Sequence, residues 1–183
     1  MAAAQGAGWK FVNLSDNPGT NWLVKGANYH GISPFEGTGW LYGSYLASTD
    51  VEGILSEWAI SPKLIIQNGD KISFYAISNG ADDGYADRLQ LRMNVFNTSD
   101  SIGETSSDIG NFTYPLLDVN QSYSLDPVSG FPNTWTKFEY TVKGLNKPDS
   151  GRIALRYYME FNGGANGDEI GVDKFTYTSI SHP

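Results

Sequence analysis

Cysteine is missing from all 183 residues, which removes disulfides, thiolate nucleophiles and cysteine-ligated zinc from consideration. Histidine is nearly missing, with His30 and His182 alone. A Ser-His-Asp arrangement would have to use His30, because His182 lies at the chain end, and no GxSxG elbow accompanies it. Basic residues are few, 12 Lys and Arg against 20 Asp and Glu, giving a net charge of −8 and a pI near 4.6. They are scattered, so the chain lacks the electrostatic footprint of a nucleic-acid binder. No apolar run is long enough to cross a bilayer as a helix, and MAAAQGAG lacks the charged and hydrophobic regions of a signal peptide. Residues 1–8 read as a disordered tail, processed or appended, ahead of one domain over 9–180, expected to be monomeric. No stretch of ten or more residues carries a helical period with caps at both ends.

What remains is a β-rich composition: 14% aromatics and 21 glycines, suited to short strands joined by turns. The clearest pair flanks NGADDGYAD. In DKISFYAIS, Ile72, Phe74 and Ala76 alternate with Ser73, Tyr75 and Ile77. In RLQLRMNV, Leu89, Leu91, Met93 and Val95 alternate with Arg88, Gln90, Arg92 and Asn94, which predicts one buried and one wet face. Further strands are predicted over 9–14, 22–25, 40–48, 56–60, 114–119, 135–142, 152–161 and 170–178. The total is about nine to eleven, at the spacing of a sandwich or jelly roll. The expected core includes Ile72, Phe74, Leu89, Leu91, Phe138, Tyr140, Leu155 and Tyr157. Residues 97–110, polar and aperiodic, read as a mobile loop.

Four stretches lie in an order that resembles one family. SEWAISPKL, then DKISFYAIS through YADRLQLRM, then WTKFEYTVKGL, then GRIALRYYM with IGVDKFTY, are similar to the cleaved adhesin or choice-of-anchor J domains, related to gingipain adhesin modules and similar in shape to MAM and carbohydrate-binding modules. The resemblance covers roughly residues 40 to 178. It implies an all-β jelly-roll β-sandwich without catalytic activity, exported to the outer surface of a Gram-negative bacterium, binding a glycan or a surface protein, and often carrying structural Ca2+. The family's last strand commonly ends in an Asp pair; here Asp173 is followed by Lys174. Its first-strand acid has no counterpart in WKFVNL, and the nearest is Asp16. Asp173 and Asp16 are therefore the expected metal positions.

Glycan recognition needs exposed rings for the apolar sugar faces, with amides and carboxylates ordering the hydroxyls. Tyr29, His30, Trp40 and Tyr42, set among Asn, Gly and Ser, are the first candidates, joined by Asp82, Asp83 and Asp87 from the acidic loop. Tyr29, His30 and Phe35 have the most loop-like neighbours. Against this stands the simpler reading, in which each Trp is core and the acidic loop merely solvates. The second expectation is a protein adhesion module without a sugar site. The third is a glycan-cleaving jelly roll using carboxylates such as Glu139 and Glu160, which would have to face each other about 5 to 9.5 Å apart.

Overall fold

The computed structural model describes residues 7–160 and 167–180. Among these residues the strands are β1 (Lys10–Asn13), β2 (Leu23–Lys25), β3 (Trp40–Ser44), β4 (Leu55–Ile60), β5 (Leu64–Ile66), β6 (Lys71–Ser78), β7 (Leu89–Asn94), β8 (Tyr114–Val119), β9 (Thr136–Thr141), β10 (Asp149–Met159) and β11 (Glu169–Thr178). They form two antiparallel sheets. The first runs β1-β4-β10-β7-β8, with β5 pairing the start of β10; the second runs β2-β3-β11-β6-β9. The chain passes repeatedly from one sheet to the other, and the result is a jelly-roll β-sandwich.

Alternation explains which side chains meet between the sheets. Ile72 and Phe74 point inward from β6, Leu89 and Leu91 from β7, and Leu155 and Tyr157 from β10, all buried in one cluster. Phe138 and Tyr140 pack on the same core but stay partly exposed, because β9 is an edge strand with a neighbour on one side only. Trp9, ahead of β1, packs edge-on against Phe175 with ring centres 5.0 Å apart. The predicted strand over 40–48 stops at Ser44, whose Oγ accepts from the Leu46 N–H and starts a 3-10 turn at Tyr45–Ala47. The three-residue β5, just after Pro62, is too short for periodicity to reveal.

One face differs from expectation. Arg88, Gln90, Arg92 and Asn94, predicted to be wet, are buried. Residues 97–110, expected to be a mobile loop, continue into 111–113 and fold over this outer face, packing Ile102 and Phe112 against Trp58, Ile60 and Ala154. The carbonyls of this segment satisfy the guanidinium groups beneath: Arg92 Nε donates to Phe112 O at 2.8 Å and Arg156 Nη2 to Ser106 O at 2.6 Å. Arg88 forks onto Asp118 through Nε and Nη2 at 2.8 and 2.7 Å, which holds its charge firmly. Such a face is polar in sequence and dry in structure, because every long donor finds a carbonyl or carboxylate acceptor.

Of the expected tail, residues 1–6 lie outside the described residues, as do His182 and most of the NGGANG turn.

Candidate ligand-binding site

The long connection between β2 and β3, residues 26–39, does not loop out into solvent. It lies as a strap along the outer face of the second sheet, over Trp40, Tyr42, Tyr75 and Ile77. Three successive local features bend it: Asn28 at φ 57°, His30 at φ 48° and Gly31 at φ 80°. Asn tolerates this left-handed region and Gly is free in it, whereas a histidine held there is uncommon and needs ties to hold it. The ties are present. His30 Nδ1 lies 2.6 Å from Glu169 Oε2, Asn79 Nδ2 donates to His30 O at 2.9 Å, and Trp135 Nε1 donates to Ser33 O at 2.8 Å. Further along, the Glu36 N–H donates to Asp173 Oδ2 at 3.0 Å, and the Glu36 carboxylate pairs with Lys174.

The strap carries a continuous run of rings. Tyr29 stacks on His30 with centres 4.1 Å apart and meets Tyr42 edge-on at 5.1 Å. Lys25 Nζ sits 3.8 Å above the Tyr29 ring. Trp40 touches both Tyr42 and Trp135 edge-on, and Phe35 lies nearly flat on Tyr75 at 3.7 Å and 17°. Burial pushes the Tyr42 phenol well above its ordinary range, and the neighbouring Glu169 carboxylate adds to the rise.

The predicted residues thus divide. Tyr29, His30, Trp40 and Tyr42 come together, but Trp40 and Tyr42 form the floor, at 2% and 6% exposure, while His30 and Phe35 are exposed. Asp82 and Asp83 are exposed on a helical turn at Gly80–Asp83, adjoining the His30 end of the strap through Asn79. Asp87 goes the other way. It is buried at 1%, accepting from Tyr157 Oη at 2.6 Å, Ser78 Oγ at 2.5 Å and the Asp168 N–H at 3.0 Å, so it is closed to any surface ligand. Tyr75, Trp135 and Glu169 belong to the array although their sequence context shows only strand alternation. The signal was available in Tyr75 and Ile77, two large residues on the outward face of β6 that need a cover.

Neither metal position gathers ligands. Asp16 Oδ1 accepts from Ser106 Oγ at 2.6 Å and Oδ2 from the Ile54 N–H at 2.9 Å, while Asp173 accepts from the N–H groups of Glu36 and Lys174. Asp16 lies in the connection after β1 and Asp173 on β11, and no group of three acidic or histidine side chains able to hold a metal exists among the described residues. Calcium needs six to eight oxygens, more than the Asp16 and Asp173 carboxylates supply by themselves. The two carboxylates weighed for hydrolysis are also apart. Glu139 pairs with Lys137 at 2.8 Å on the second sheet, and Glu160, just past β10 of the first, stands 3.6 Å from Arg88.

Among solved structures, the K1 cleaved adhesin domain of Lys-gingipain from Porphyromonas gingivalis W83 superposes with a TM-score of 0.63 at 18% identity, over 96% of this chain and 92% of that one. The chain has the cleaved adhesin fold. The K2 domain of the same protein gives 0.59 at 14% identity over 96% and 92% of the two chains, and the K3 domain 0.53 at 15% over 94% and 93%. No protein-family model matches the sequence, and no curated protein matches it either. The cleaved adhesin fold therefore emerges from three-dimensional arrangement over nearly the whole chain, at identities where sequence comparison alone falls silent.

Proposed function

We propose that this chain is a non-catalytic binding or adhesion module on the outside of a Gram-negative bacterium, and that its ligand is a polysaccharide. The observation that carries this reading is the aromatic array of the strap. Phe35, at 39% exposure, lies flat over Tyr75, and His30 is exposed at the other end, stacked on Tyr29. A flat ring offers the apolar face a pyranose stacks on, and Asn28, Asn79, Asp82 and Asp83 supply amides and carboxylates for its hydroxyls. The likeness to adhesin domains supports a binding role at a cell surface.

A protein partner is the second reading. It is favoured by Leu46, Val51 and Val128, which expose 49%, 77% and 92% of their surface on connecting loops.

A glycan array probed with the wild-type chain and with Tyr29→Ala and Phe35→Ala decides the matter. Trp40 is unsuited to this test because its ring is part of the buried floor. Capture of a defined glycan, weakened at least tenfold by both substitutions, is the expected result. An empty array, or capture that neither substitution changes, overturns the polysaccharide reading and leaves the protein partner.

A further inference from the structure

A second concave feature lies at the 36–39 end of the strap, where the two sheets part at the edge strands β1 and β2. It is a pocket of about 540 Å³, within the range of small-molecule sites. Its walls are the inward side chains of both sheets: Phe11, Ala59 and Leu155 from the first, Leu41, Val172 and Phe175 from the second. The core is therefore open at this edge. Water in such a space finds few polar partners, so an apolar occupant displaces it at little cost.

The mouth is polar and asymmetric. Glu36, Asp173 and Lys174 line it; the Lys174 ammonium pairs with Glu36, whereas Asp173 accepts only backbone N–H groups. Two carboxylates meet one ammonium there, and Trp9 and Phe175 also line the pocket. A carboxylate in excess beside aromatic faces suits a cation.

We infer that this pocket is a binding site for a compact apolar group ending in an amine, with the apolar part between the sheets and the ammonium at Asp173. The mouth adjoins the Phe35 end of the strap, with Lys174 Nζ 5.8 Å from the Phe35 ring centre, but the apolar part of the ligand lies between the sheets and is tested separately from the polysaccharide reading.

The test titrates the intact chain with n-butylamine, n-hexylamine and n-octylamine below their micellar concentrations, with octanoate as the anionic counterpart. Calorimetry reads affinity, and tryptophan fluorescence compared between the wild-type chain and Trp9→Phe reads location. Saturable binding is expected to strengthen about fourfold per added methylene, with octanoate at least tenfold weaker than octylamine. Asp173→Asn removes that preference, and Ala59→Leu, which fills the floor, weakens octylamine at least tenfold. Should Ala59→Leu fail to fold, Val24→Lys at the half-exposed rim of β2 places a competing cation at the mouth, and is expected to weaken octylamine while sparing octanoate. Absence of saturable binding, no dependence on chain length, equal affinity for octanoate, or octylamine affinity unchanged in the folded variants each overturns the assignment. A negative glycan array has no bearing on any of these outcomes.

Discussion

His30 Nδ1 and Glu169 Oε2 lie 2.6 Å apart across 139 residues of chain, joining the bend of the strap to the first residue of β11. His30 is largely exposed and Glu169 is buried, so the contact fixes the strap from its solvent side onto a group that cannot move. His30→Ala is expected to loosen the strap while leaving the sandwich intact. The loss should be about 1 to 2 kcal/mol, and amide exchange should accelerate at Ile32 and Glu36, whose N–H groups bond to Tyr29 O and to Asp173. Unchanged exchange across 27–36 would mean that the stacked rings alone hold the strap.

Glu57 offers a second prediction, of opposite sign. It points inward from β4, fully buried, and neither carboxyl oxygen has a hydrogen-bond partner of ordinary geometry; Trp22 Nε1 is in the same condition. Both side chains crowd Gly43, where an added Cβ would stand 3.0 Å from Trp22 and 3.2 Å from Glu57. Burial drives the Glu57 carboxyl well above its usual range, and holding it there without a well-formed partner carries a desolvation cost. Glu57→Leu should raise stability by about 1 to 3 kcal/mol in denaturant melts. A clear fall would show that the carboxyl is satisfied in solution after all.

These two residues mark the border of what the sequence discloses. Strand alternation was enough to place Ile72, Phe74, Leu89 and Leu91 in the core, because a period of two is a local property. What covers the opposite face is not local. Arg92 and Arg156 alternate as solvent residues do, and only the fold brings Phe112 O and Ser106 O over them. Asp87 sits in a stretch whose composition reads as an exposed turn, yet its fate is decided by Tyr157, 70 residues away. Tyr29, His30, Trp40 and Tyr42 were found together because they are close in sequence as well as in space. Which of them would be floor and which surface depended on the strap lying down, and that rests on the distant Glu169, Trp135 and Asp173.

Calcium gives a third test. Asp16 and Asp173 each contribute one carboxylate already engaged by protein donors, which predicts the same Tm in millimolar calcium as in excess chelator. An ion bound tightly in the native state alone would raise Tm by mass action. A chelator-sensitive rise of several degrees would contradict the donor sets described and require oxygens from outside these two clusters.

The pH dependence of stability should trace to Asp87. Burial pushes its carboxyl from an ordinary 3.8 to about 7, against the hydrogen bonds from Ser78, Tyr157 and the Asp168 N–H, which favour the charged form. The folded chain then holds this proton more tightly than the unfolded chain does. The associated stability is complete below about pH 4 and is lost as pH rises towards 7. Glu57 and Asp168, also raised by burial, act in the same direction. Asp70 and Asp100, whose carboxyls are lowered, act oppositely, and their contribution disappears only as pH falls below the ordinary carboxylate range. Stability should therefore peak in acid solution near pH 4 and decline between about pH 4 and 7, by an amount on the order of a few kcal/mol. In Asp87→Asn, which keeps the shape and removes the titration, the decline across that interval should be much reduced. Parallel melts of the two proteins at matched ionic strength measure it, and equal slopes would assign the effect to Glu57 or Asp168 instead.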